Sequence, residues 1–275
     1  MTDHFTPWLI TLPAYRELCA AITLKPATAT APSAGKAEPP CKVQGGLATV
    51  PIHGTLMRDV PPALALRAAI YGIQLCSMGE TATTLRELAA NPQVHTVLLD
   101  IDSPGGTVNG TPELAFAVRS LAREKHVYTY TSGNCCSAAY WVASQSDVIY
   151  AAPSAMVGSI GVLLPLIDTS VLYERNGIKV EAIAAGKYKS TGMDGTSLTD
   201  EQRALLTQRV ENVWEQFKAA VTTRRKIDEA NMEGQSFYGS DARDKGLVDA
   251  CAYSLDELSI RLIKRHAGAD FDTNA

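Results

Sequence analysis

Ser137 is the residue in this chain best placed to act as a nucleophile. It lies in Thr131-Ser132-Gly133-Asn134-Cys135-Cys136-Ser137-Ala138-Ala139-Tyr140-Trp141-Val142-Ala143, where an apolar, strand-like run turns into a helix of small residues. The backbone N–H groups of the first helical turn lie free beside such a hydroxyl and can receive a developing oxyanion. The same setting suits a helix N-cap, the ordinary role of serine there. Upstream, Ser103-Pro104-Gly105-Gly106 follows a buried strand. Its glycines let the backbone approach a substrate carbonyl or an extended peptide strand, and they also make a good turn. One crossover helix separates the two segments. A parallel sheet would bring the N–H groups of Gly105 or Gly106 and of Ala138 to neighbouring strand ends, which is the geometry of acyl transfer.

A serine needs a base. No histidine occurs between Val127 and Arg265. His53, His95 and His126 precede the serine with no recognisable motif around them and read as surface or strand-end residues. The other base known to serve a serine is lysine, which must be held neutral by burial or by a nearby cation. Lys187 and Lys189, in Ala185-Gly186-Lys187-Tyr188-Lys189-Ser190-Thr191, are available, and spacing alone leaves both readable as solvated loop lysines.

The elements that must hold these groups follow from patterning. Strands are expected at Leu47 to Ile52, Val94 to Ile101, Val127 to Thr131, Asp147 to Ala151 and Lys179 to Ala184. Helices are expected at Thr83 to Asn91, from a Thr111 cap with Pro112 at the first position, at Ser170 to Asn176, and from a Thr199/Gln202 capping box to about Arg225. Phe237 to Ala252 reads as a strand-turn-helix unit and Leu255 to Lys264 as a last helix, while residues 57–78 are ambiguous. This alternation predicts an α/β fold with a mostly parallel β-sheet and crossover helices. Residues 1–24 form an N-terminal segment with a helix near Leu12 to Leu24, and 25–45 an Ala/Pro-rich linker. The folded domain is expected from about Gly46 to Lys264, with a polar tail over 265–275.

The chain has 275 residues, 46% of them hydrophobic and 20% charged, with a net charge of −4. That balance is ordinary for a soluble globular protein and argues against nucleic acid as a partner. Six cysteines without a CxxC pair point to reduced thiols and no zinc site. The N-terminus lacks the pattern of a signal peptide, and no run is long enough for a membrane anchor.

Five ordered motifs carry a family likeness: Asp100-Ile101-Asp102-Ser103-Pro104-Gly105-Gly106, Cys136-Ser137-Ala138-Ala139-Tyr140, Gly158-Ser159-Ile160-Gly161-Val162, Gly186-Lys187-Tyr188-Lys189, and Tyr238-Gly239-Ser240-Asp241-Ala242 leading to Gly246-Leu247-Val248-Asp249. Over about Gly46 to Leu262 the chain resembles the signal peptide peptidase A family of Ser–Lys proteases, most closely its phage head-maturation branch. The resemblance implies a Clp-protease/crotonase-like fold and a serine endopeptidase without cofactor or metal. In it Ser137 is the nucleophile, Lys189 the general base and Ser159 the residue orienting that base. Gly105 or Gly106, with Ala138, forms the oxyanion hole. Bacterial members often carry Gly-Gly after the serine, where this chain has Ala138-Ala139. The implied substrates are scaffold, portal or coat proteins, cut by a homo-oligomer in the host cytoplasm or inside the assembling prohead. A stripe of Leu205, Val210, Val213, Trp214 and Phe217 would serve either as core or as the contact between copies. Alternatives are a bacterial protease of cleaved signal peptides, a crotonase-type acyl-CoA enzyme, and an inactive assembly protein.

Overall fold

The computed structural model describes residues 7–23 and 41–266. The chain opens with β1 (Trp8–Ile10) and α1 (Leu12–Thr23), followed by β2 (Lys42–Gln44), β3 (Leu47–His53), β4 (Thr55–Met57), α2 (Pro62–Ile70), β5 (Leu75–Ser77) and α3 (Met78–Ala90). The central part runs β6 (Thr96–Asp102), β7 (Gly105–Thr107), α4 (Thr111–Leu121), β8 (His126–Thr131), β9 (Asn134–Cys136), α5 (Ala138–Ala143), β10 (Val148–Ala151) and β11 (Met156–Gly158). It closes with α6 (Ser170–Arg175), α7 (Asp200–Thr222), β12 (Ser236–Tyr238), α8 (Gly239–Asp244), β13 (Ala250–Cys251) and α9 (Leu255–His266).

The main sheet has the order β13-β10-β8-β6-β3-β2 and is parallel throughout except for β2. This is the α/β architecture expected from the alternating pattern. β6 is apolar on both faces through Val97-Leu98-Leu99, as a strand covered on both sides requires. Val97, Leu99 and Ile101 join the large core under α3, α4 and α5. Leu98 points the other way, to Tyr128, Tyr130, Leu258 and Leu262, where α9 closes the second face. Two smaller sheets, β1-β7-β4-β5 and β12-β11-β9, stand at the ends of the main strands. Behind α5, Trp141 stacks on Phe217 of α7 with ring centroids 4.8 Å apart. Phe217 is therefore core, while Val213 and Trp214 are half-buried, the Trp214 indole donating to Met232 O.

Several expectations are corrected. Lys179 to Ala184 forms no strand: the segment lies on the surface and pairs with no strand edge among the described residues. Its β-like pattern needs a partner that this monomer does not supply. The start of the fold near Gly46 is also corrected, because β1 pairs with β7 and β2 with β3. The helix expected at Thr83 begins at Met78, its Ser77 cap accepting from the Glu80 N–H. The ambiguous stretch holds α2 and β5. Gly110, not Thr111, takes the N-cap of α4, while the Thr111 hydroxyl donates to Thr107 O. The Thr199/Gln202 capping box is formed in full. Residues 25–40 of the linker and 267–275 of the tail lie outside the described residues. Among the described residues no helix is long and apolar enough to cross a membrane.

Candidate active site

Three of the five motifs meet at one place. β9 runs parallel to β11 with Cys136 opposite Gly158, so Ser137 and Ser159 follow at adjacent strand ends. Ser137 N–H donates to Gly158 O at 2.7 Å, and Ser159 N–H donates to Gln235 O at 2.6 Å. On the other side of β9, Ser103 bridges Cys135, with Ser103 N–H donating to Asn134 O and Cys136 N–H to Ser103 O. Residues 103–106, 135–138 and 158–161 therefore converge, as crossover logic predicts for the first two.

Ser137 occupies the N-cap position of α5 without acting as a cap. Its side chain makes no capping bond; its Oγ donates to Gly161 O at 3.4 Å. Its backbone is at φ 54° and ψ −119°. Ser137 and Ser159 (φ 53°) are the non-glycine residues with positive φ among those described. A non-glycine residue there costs on the order of 1–3 kcal/mol, and such strain clusters where function needs it. The sharp strand-to-helix turn is the kind that presents a nucleophilic serine at the mouth of a helix. Ala138 and Ala139 are fully buried, their methyl groups filling core behind the serine.

Gly105 and Gly106 show why glycine stands at both positions. Gly105 has φ +105°, and a Cβ there would lie 2.1 Å from Leu9 O and 3.0 Å from Cys136 O. A Cβ on Gly106 would lie 1.8 Å from Leu56 O. The close backbone approach anticipated at these glycines is made by the chain's own β1 and β4. Gly105 N–H donates to Ser103 Oγ at 3.2 Å.

The neighbouring thiols are poor competitors for the serine. Burial pushes the Cys136 thiol up to about 11 and the Cys135 thiol well above its ordinary value. At neutral pH fewer than about one Cys136 in a thousand is thiolate, so its nucleophilic form is scarce. His53 pairs through Nε2 with Asp100 Oδ2 at 2.9 Å. Asp100 follows Leu98 on its face of β6, whereas Ala138 and Ala139 pack with Leu99 and Ile101 on the other, so the sheet separates this pair from Ser137. Among the described residues no cluster of His, Cys, Asp and Glu is fit to hold a metal ion.

Lys189 is not brought to Ser137 in this monomer. It lies exposed in the loop between α6 and α7, and its ammonium makes no hydrogen bond or ion pair among the described residues. Lys187 approaches Glu201 at 3.7 Å and the ring of Tyr188 at 5.5 Å. The whole segment 164–198 stands out from the sheets, with Ile167 87% and Ile183 99% exposed.

The model of one peptidase family, Peptidase family S49, matches residues 119–264, which carry Ser137, Ser159 and Lys189. The chain belongs to peptidase family S49. This S49 chain is 34% identical over 178 residues to the Methanocaldococcus jannaschii protein MJ0651, whose name describes a protease, covering 63% of this chain and 57% of that one. It is 26% identical over 222 residues to capsid assembly protease C of Escherichia phage lambda, covering 80% of this chain and 49% of that one. The chain thus spans about half the length of these relatives. A solved enoyl-CoA hydratase/isomerase family member aligns at TM-score 0.42 and 18% identity, over 82% of this chain and 75% of that one. A likeness at that level carries no argument about activity.

Proposed function

We propose that this chain is a serine endopeptidase in which Ser137 is the nucleophile and Lys189 the general base. The observation that carries the reading is Ser137 itself: an uncapping, positive-φ serine at a helix N-terminus where three motifs of an S49 chain converge. In the reaction, Ser137 Oγ attacks the scissile carbonyl carbon while its proton passes to the neutral Lys189 Nζ. The oxyanion takes N–H donors from Ala138 and from Gly105 or Gly106. The ammonium then protonates the leaving amine, and the C–N bond breaks. Water attacks the acyl-enzyme with the same lysine as base and frees Ser137. Ser159, whose hydroxyl makes no hydrogen bond among the described residues, orients the lysine.

The base role demands burial that exposed Lys189 does not have in this monomer. The exposed apolar side chains of 164–198 support an answer: closure of this segment or packing of a second copy covers Ile167 and Ile183 and carries Lys189 inward. In the second case the enzyme works as a homo-oligomer.

For substrate we favour scaffold, portal or coat protein during phage capsid assembly, in the host cytoplasm or within the prohead. The lambda protease aligns over 80% of this chain, against 63% for the archaeal relative. The test is co-expression of the full chain with phage scaffold, portal and coat proteins. Shortening of one of them, read by mass spectrometry, is expected. Cleavage of an unfolded protein such as casein, with all three left intact, removes the capsid role and leaves the peptidase.

A further inference from the structure

Beside Ser137, the edge of β7 is covered by the chain's own N-terminal segment. β1 runs antiparallel to β7, with Trp8 opposite Thr107, Leu9 opposite Gly106 and Ile10 opposite Gly105. Thr11 N–H donates to Pro104 O at 3.0 Å and Val108 N–H to Pro7 O at 3.4 Å. Hydrogen-bonded pairs alternate along an antiparallel ladder, so Leu9 and Gly106 exchange backbone bonds as well. On its other side, Trp8 exchanges both bonds with Leu163, at 2.8 and 3.0 Å. A five-residue extended segment is thus held between two backbones, with its Leu9 carbonyl on the Gly106 N–H. That N–H is one of the donors assigned to the oxyanion. Trp8, Leu9 and Ile10 are all buried, and so is Ser137, at 1% exposure.

β7 offers no side chain at Gly105 or Gly106, so whatever lies there is recognised by its backbone, with apolar pockets to either side. Leu9 enters the main core beside Leu56 and Ala138, and Trp8 and Ile10 pack with Leu18, Leu75 and Leu163. We propose that residues 7–11 are an internal occupant of the peptide groove, and that a substrate must present an extended apolar strand and displace them to reach Ser137. The inference rests on the peptidase reading above. It adds that the chain folds with its groove shut, and that apolar segments exposed by unfolded or assembling proteins are the class able to open it.

The test uses the full chain and two changes. Trp8→Pro removes the N–H given to Leu163. Trp8→Cys with Thr107→Cys places a cysteine pair at a non-hydrogen-bonded site, where Cα atoms are about 4.5 Å apart and a disulfide can close. Cleavage of casein and the rate of Ser137 acylation by a fluorophosphonate are followed for each. Trp8→Pro is expected to raise both by about tenfold, as the competent fraction rises. The oxidised double variant is expected to lose both by more than about 100-fold, and to regain them in reductant. An oxidised double variant that works as fast as its reduced form overturns the proposal while leaving the peptidase reading intact. Casein cleavage that survives Ser137→Ala overturns both.

Discussion

Ser137→Ala is expected to abolish peptide-bond cleavage while leaving the fold in place. Loss of the attacking oxygen removes the covalent route, and turnover should fall by at least about 10⁴-fold. Two features make this a clean substitution. The hydroxyl caps no helix, so no capping energy goes with it. The backbone keeps φ 54°, which alanine tolerates no better and little worse than serine. Urea titration should therefore place Ser137→Ala within about 1 kcal/mol of the parent. Ser137→Gly relieves the positive φ and should be more stable than Ser137→Ala by up to about 1 kcal/mol. A chain made stabler by deleting its own nucleophile would identify the strain as maintained for catalysis. Undiminished turnover in either variant sinks the nucleophile assignment.

Lys189→Ala is expected to cost about 10²–10⁴ in kcat/KM, the usual worth of a positioned base. Lys187→Ala, whose amine meets Glu201 and the Tyr188 ring on the surface, should change it by less than about threefold. Lys189→Arg should not rescue, since a guanidinium stays protonated and cannot accept the serine proton. Mixing Ser137→Ala with Lys189→Ala separates the two ways of burying the lysine. Recovered activity means that one copy's lysine serves another's serine, and none means that the segment closes within a chain. Equal losses from Lys187→Ala and Lys189→Ala would contradict the assignment.

The sequence made part of this site legible for physical reasons. The turn at Ser137 follows from a β-run meeting small helix formers, and the buried strand before Ser103 from the apolar Val97-Leu98-Leu99 and Ile101. Gly105-Gly106 signalled a close backbone approach, which Leu9 O and Leu56 O make. What was missed depends on distant partners. β1 is three residues long and pairs with β7 far along the chain. Nothing local in Trp8-Leu9-Ile10 distinguishes such a strand from the lead-in to α1. The opposite error arose at Lys179 to Ala184, where the local pattern is strand-like but no edge meets it. Both failures concern which backbone lies alongside, a tertiary fact that local propensity does not contain.

Catalysis in this reading rests on a hydroxyl activated by an amine. Its most direct test is the site and rate of fluorophosphonate acylation, mapped by mass spectrometry on the full chain and on Trp8→Pro, with and without Lys189→Ala. One adduct is expected, on the peptide carrying Ser137, forming at least about tenfold more slowly when Lys189 is removed. An adduct on another residue, or a Ser137 that reacts equally fast without Lys189, would contradict it.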